Sequence, residues 1–266
     1  MAYQDTDQVY ISELVERARI AQKQIEHYSQ RRVDELAAAI VYTLSRPELA
    51  QSIAEQALEE THMGRVDSKA AKLTGKMPAI LYEVLSQKTV GVIERIPEKG
   101  LVKIAKPMGV IAALIPSTNP EATPVFKGVL GLRARNSLIF APHPSSKGTT
   151  KRVVDIMREV LRKNGVPEDV FICIDEPSKQ KASLLMAQCD ITMATGGSDM
   201  VRAAYSSGKP AYGVGVGNAV VIIDETADLK DAAHKIAISK VNDWASGCSA
   251  ENSIIVESSI YDEFMQ

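Results

Sequence analysis

The chain has 266 residues, of which 45% are apolar and 24% charged, and its formal net charge is −2. That length holds one large domain or two modest ones, and a near-neutral balance gives nucleic acid or an anionic membrane no electrostatic reason to bind. The longest apolar stretch, 108–116, falls well short of the about 20 residues that span a bilayer. The N-terminus carries Asp5, Asp7 and Glu13 without an apolar run, which argues against a signal peptide. The 3 cysteines share no repeated spacing, so neither a disulfide framework nor a zinc or other metal site is expected, and a reducing cytoplasm is the expected compartment.

The first third reads as helix. Ile11, Leu14, Val15, Ala18 and Ile25 form an amphipathic stripe over 9–29, and the pattern continues over 31–44. Pro47 opens a third helix over 47–63, which Gly64 stops, and a fourth covers 68–86. Residues 89–96 and 101–106 alternate apolar and polar side chains around the turn Pro97-Glu98-Lys99-Gly100, a hairpin pattern. Beyond Pro107, apolar runs at 110–115, 137–141, 170–174, 191–194 and 220–223 alternate with helical patterns at 124–133, 149–163, 178–188 and 199–206. Continuous apolar strands separated by amphipathic helices predict βαβ units and a parallel sheet buried on both faces. The fold class is therefore α/β: a Rossmann-like parallel sheet with N-terminal helices and a protruding β-hairpin. A helix over 229–242 and a strand over 253–256 start a second α/β unit that the chain is expected to leave unfinished.

In such a sheet the ligand crevice lies at the carboxyl ends of the strands, so the loops after Ile115, Ala141, Ile174 and Ala194 are the places to search. After the first strand come Ile115-Pro116-Ser117-Thr118-Asn119-Pro120, where Asn119 can present an amide to a developing oxyanion or simply cap a helix. After the second come Pro142-His143-Pro144-Ser145-Ser146, at the usual place of the adenosine ribose. Thr195-Gly196-Gly197 precedes a helix N-terminus and suits a phosphate, or serves as a tight turn. Gly213-Val214-Gly215-Val216-Gly217-Asn218 precedes a strand rather than a helix and fails as a dinucleotide fingerprint. Cys173 and Cys189 lie in apolar segments and read as buried thiols, whereas Cys248 sits in the small-residue loop Ala245-Ser246-Gly247-Cys248-Ser249-Ala250.

Taken in this order, the loops resemble those of the aldehyde dehydrogenase superfamily, and 203–215 is similar to its CoA-acylating branch, which acts on acetaldehyde, succinate semialdehyde or sulfoacetaldehyde. The resemblance implies that Cys248 attacks the aldehyde as nucleophile, and that Asn119 with the Cys248 N–H holds the oxyanion. It implies cofactor contacts from Ile115, Pro116, Ser117, His143, Pro144, Ser146, Thr195, Gly196, Gly197 and Gly215. Hydrolytic members carry a glutamate in the stretch matching Gly213–Asn218, and this chain has none there, so acyl transfer to coenzyme A is expected over hydrolysis, the alternatives being a hydrolytic member with its carboxylate elsewhere or a nucleotide-binding fragment inactive on its own. Ser146, where NAD-preferring relatives commonly carry a glutamate, favours NADP over NAD. Asp243-Trp244-Ala245 departs from the Asp-Asn-Gly that acylating relatives often show.

The implied organisation is a helical part of the cofactor domain (1–88), an oligomerisation hairpin (89–106), an NAD(P)-binding region (107–242) and the beginning of a truncated catalytic domain (243–266). The implied partners are a small aldehyde, CoA and further copies of the chain in a dimer or tetramer.

Overall fold

Helical spacing of apolar residues resolves into α1 (Thr6–Ile25), α2 (Gln30–Leu44) and α3 (Pro47–Thr61). The structure is a computed structural model that describes residues 6–266; Asp5 lies outside the described residues. The α1 stripe Ile11, Leu14, Val15, Ala18 and Ile25 is buried, as its spacing predicts. Ser29 caps α2 by accepting from Arg32 N, and Pro47 opens α3 where a helix has no use for its N–H. The fourth expected helix is interrupted: α4 (Val66–Ala71) and α5 (Met77–Leu85) are joined by a π-helical turn, Lys72–Lys76.

Strands β1 (Gly91–Ile96) and β2 (Leu101–Ala105) form the antiparallel hairpin, closed by Gly100 in the left-handed region at φ 64°. Ile93, Leu101, Val102 and Ile104 are exposed on this ribbon.

The central sheet is parallel throughout. Its strands are β3 (Val110–Leu114), β4 (Ser137–Ala141), β5 (Phe171–Cys173), β6 (Ile191–Thr195) and β7 (Ala211–Val214), in the order β5-β4-β3-β6-β7. Alternation along β3 and β4 feeds two cores: Ile111, Ala113, Leu138 and Phe140 face one, and Val110, Ala112, Leu114 and Ile139 the other. Helices α6 (Thr123–Arg133) and α7 (Lys147–Lys163) pack with α2 on the first face, while α1 and α8 (Lys179–Gln188) cover the second. A ninth helix, α9 (Ser198–Tyr205), links β6 to β7.

The chain runs outward from β3 to β5, then returns to place β6 on the other side of β3. The crevice between β3 and β6 is therefore the switch point where such sheets take ligands. Lys127 of α6 braces it, donating to Leu114 O at 2.6 Å and Met193 O at 2.7 Å.

One strand expectation is corrected. Residues 220–223 are extended, but within β8 (Ala219–Ile223), which pairs in parallel with β9 (Glu251–Val256) in a separate two-stranded sheet, α10 (Leu229–Val241) lying between them in sequence. The fifth position of the central sheet goes to β7, a half-exposed edge strand. Gly213 permits this, because a Cβ there would stand 2.7 Å from Val201 and 2.8 Å from Tyr205 of α9. A short α11 (Tyr261–Phe264) follows β9. Among the described residues no helix is long and apolar enough to cross a membrane, and no group of three or more His, Cys, Asp or Glu is placed to hold a metal.

Candidate active site

The loops leaving β3, β4 and β6 meet over a cleft of about 460 Å³ that Ile115, Pro116, His143, Pro144, Thr195, Gly196 and Gly197 all line. The loop after β5 contributes Pro177 and Ser178, to which the sequence assigned no role. Gly196 and Gly197 present bare backbone: a Cβ would meet nothing within 4 Å at Gly197 and only Met200, at 3.5 Å, at Gly196. Helix α9 starts immediately afterwards, so its N-terminus is available to an anion beside these glycines. His143 is exposed, and its Nδ1 accepts from Ser145 N at 3.2 Å and lies 2.7 Å from Ser145 Oγ.

Ser146 does not reach the cleft, which corrects its expected contact with cofactor. The tight turn Pro144–Ser146 carries it beneath α7, where it is fully buried and its Oγ donates to His143 O at 3.4 Å. The exposed groups at this end are Ser145 and Lys147, and Lys147 Nζ lies 2.7 and 2.8 Å from the Glu176 carboxylate oxygens.

A second pocket, also about 460 Å³, adjoins the first through the shared residues Pro116, His143, Thr195, Gly196 and Gly197. Ser117, Asn119, Gly215 and Cys248 line it, so the expected nucleophile and the expected amide share one cavity. Cys248 is exposed, whereas burial pushes the thiols of Cys173 and Cys189 up to about 12. No Asp or Glu is among the residues lining this pocket.

The turn leading into the Cys248 loop is strained. Asp243, Trp244 and Ala245 take left-handed φ values of 52°, 52° and 57°, a run that L residues adopt only when their surroundings enforce it. Buried Asp243 supplies the enforcement: Arg65 N donates to its Oδ1 at 2.7 Å, while Lys72 Nζ at 2.5 Å and Ser246 Oγ at 2.9 Å donate to its Oδ2. Burial pushes the Asp243 carboxyl up, but the hydrogen bonds from Lys72 and Arg65 outweigh it and hold the group below its usual range. Gly64 makes room, since a Cβ there would stand 2.1 Å from Asp243 Oδ1.

Under Asn119 lies a buried charge cluster. Lys72 Nζ donates to Asn119 Oδ1 at 2.5 Å, and Lys69 Nζ to Thr118 O at 2.9 Å. The Glu121 carboxylate, fully buried, lies 3.5 Å from Lys72 Nζ and 3.9 Å from Lys69 Nζ. Burial drives the Glu121 carboxyl up and the Lys69 ammonium down. Sequence reasoning assigned no role to Lys69, Lys72 or Glu121. Two lysines three apart on a helix are also what a solvated face shows, and the groups they meet lie 47 to 171 residues away.

The aldehyde dehydrogenase family model matches residues 1–266. The chain is 47% identical to a sulfoacetaldehyde dehydrogenase of Acholeplasma sp over 94% of its own length and 52% of that protein's. It superposes on an acetylating aldehyde dehydrogenase from Geobacillus thermoglucosidasius with a TM-score of 0.90 and 36% identity, covering 98% of this chain and 59% of that one. A propionaldehyde dehydrogenase of Rhodopseudomonas palustris, solved with bound CoA and an acylated cysteine, matches with a TM-score of 0.82 and 29% identity, over 96% of this chain and 58% of that one. The chain thus spans about half the length of the curated relatives it matches. On the family match, the shared fold and the order of its loops, the chain belongs to the aldehyde dehydrogenase family.

Proposed function

We propose that this chain is the portion of a CoA-acylating aldehyde dehydrogenase that binds NAD(P) and carries the nucleophile, Cys248. The observation that carries the reading is the shared cavity: the Cys248 thiol and the Asn119 amide line one pocket that adjoins the strand-end cleft. As thiolate, Cys248 adds to the carbonyl carbon of a short aldehyde, and Asn119 Nδ2–H with the Cys248 N–H donates to the resulting oxyanion. The cleft fits a dinucleotide, with bare backbone at Gly196 and Gly197, a helix N-terminus for phosphate, and apolar walls from Ile115, Pro116 and Pro144. When bound, NAD(P) supplies the hydride acceptor that lets the adduct become a thioester.

Release is by CoA. Its thiolate attacks the thioester carbonyl, the Cys248 thiolate leaves, and acyl-CoA results. Without a carboxylate lining the pocket, water lacks the glutamate base of the hydrolytic members, whereas CoA brings its own sulfur nucleophile. The acylated cysteine and bound CoA of the Rhodopseudomonas relative support the same course. NADP is proposed over NAD on the makeup of the β4 loop: residues 142–147 carry no acidic side chain and end on Lys147. The exposed apolar ribbon β1–β2 is proposed as a contact between copies in a dimer or tetramer.

The test is NADPH and NADH formation by the chain and by Cys248→Ala with short aldehydes, with and without CoA. CoA-dependent reduction that vanishes in the variant is expected. Dinucleotide binding with no reduction would instead make this chain a nucleotide-binding module.

A further inference from the structure

Three oxygen atoms face one ammonium beneath the proposed active site. Lys72 Nζ is 2.5 Å from Asn119 Oδ1, 2.5 Å from Asp243 Oδ2 and 3.5 Å from Glu121 Oε1. An ammonium has three hydrogens and no acceptor, so it donates to Asn119 and Asp243 while Glu121 lies in ion-pair range, and the Asn119 atom that faces it must be the carbonyl oxygen. The Asn119 amide nitrogen is then turned away from Lys72. One of its hydrogens points to Thr118 Oγ1 at 3.3 Å, leaving the other for the pocket.

We infer that Lys72 is the positioning residue of this site: one ammonium orients the Asn119 amide as a donor and, through Asp243, pins the strained turn that delivers Cys248. The inference rests on the reading of Cys248 as nucleophile and Asn119 as its oxyanion donor.

Four further points support it. The cation pulls on the Asn119 carbonyl oxygen, which polarises the amide and sharpens Nδ2–H as a donor. Asp243 is joined to Lys72, Arg65 N and Ser246 Oγ, which lies two residues before Cys248, so the ammonium is coupled to both partners of the chemistry. Lys72 also begins the π-helical turn, a single-turn distortion of a helix that is frequent at functional sites. The oxygens of Glu121 have no hydrogen-bond partner in this buried cluster and rest on Lys69 and Lys72 for compensation, which keeps both lysines in place.

The experiment compares two reactions of Cys248 in the 266-residue chain, neither of which needs cofactor or CoA. Acylation by p-nitrophenyl acetate, read as the p-nitrophenolate burst, passes through an oxyanion; alkylation by iodoacetamide does not. For Lys72→Met we expect acylation to fall by about 100-fold while alkylation stays within about threefold. Asn119→Ala should lose acylation similarly, and Lys72→Met added to it should cost little more. Lys72→Gln, which keeps an N–H donor for Asn119 Oδ1 but no charge, should recover part of the loss. Equal losses in both reactions, or none in either, would overturn the positioning role.

If Lys72→Met does not fold, Lys72→Gln and the charge-neutral pair Lys72→Met with Asp243→Asn carry the comparison; loss of folding in all three would make Lys72 a folding residue and overturn the proposal. A wild-type chain with no acylation that depends on Cys248 would instead refute the underlying reading of the nucleophile, and the inference with it.

Discussion

Gly217 stands directly against the main chain of Cys248: a Cβ at Gly217 would lie 1.7 Å from the Cys248 carbonyl oxygen. The glycine-rich stretch therefore acts as a seat for the cysteine loop. Gly217→Ala must push that loop away, and a displacement near 1 Å at a reacting centre costs about 100-fold in rate. Acylation of Cys248 by an active ester should fall accordingly. Dinucleotide affinity, measured by fluorescence titration, should hold, because Gly217 lines the cysteine pocket and not the strand-end cleft.

The turn before Cys248 carries avoidable strain. Ala245 sits at φ 57°, where glycine has no Cβ clash. Ala245→Gly is expected to raise stability by about 1 kcal/mol, read from the urea midpoint at unchanged slope. A loss of stability would mean that the turn is not left-handed at this position.

The three thiols should react very unequally. Cys248 is exposed, and burial holds Cys173 and Cys189 at about 12, so both stay protonated at any ordinary assay pH. Iodoacetamide at pH 8 should label Cys248 alone by peptide mass mapping. The Cys248→Ala chain should remain unlabelled until it is denatured, and labelling of Cys173 in the native chain would refute its burial.

Lys127 should leave a mark on the pH dependence of stability. Burial lowers its ammonium to about 7, below the ordinary lysine value of the unfolded chain. Between those two values the unfolded state holds the extra proton, so this group makes stability rise with pH from about 7 to about 10, by up to about 1.4 kcal/mol per pH unit. Below that window both states are protonated and the penalty of burying the charge is fully present. Lys127→Met should remove that slope while leaving the Leu114 and Met193 carbonyls without their donor. Parallel pH profiles for the two chains would overturn the assignment.

Cofactor preference should respond to Glu176. Its carboxylate holds Lys147 beside the β4 loop, and both side chains are exposed, so the pair is weak and easily released. Glu176→Gln frees the lysine and removes a negative charge near the proposed ribose end. The NADP dissociation constant should drop about threefold with that for NAD unchanged. Equal shifts for both cofactors would place the 2′-phosphate elsewhere.

Local pattern was enough to read α1, α2, the hairpin and strands β3, β4 and β6 from the sequence, because their residues alternate or recur with the period of the element they form. Local pattern only drew attention to Cys248 and Asn119, as a small-residue cysteine loop and an asparagine at a strand end; the roles expected of them came from the family resemblance. Only the tertiary structure decided between 211–214 and 220–223 for the sheet edge. The more apolar run pairs with β9, and the edge goes to a stretch that can pair with β6 because Gly213 admits α9. Likewise Ser146 reads as a loop hydroxyl facing cofactor until the turn at Pro144 carries it under α7. The Lys72 cluster joins residues 47 and 171 positions apart, and a charge has no periodicity by which a sequence could announce the partner that neutralises it.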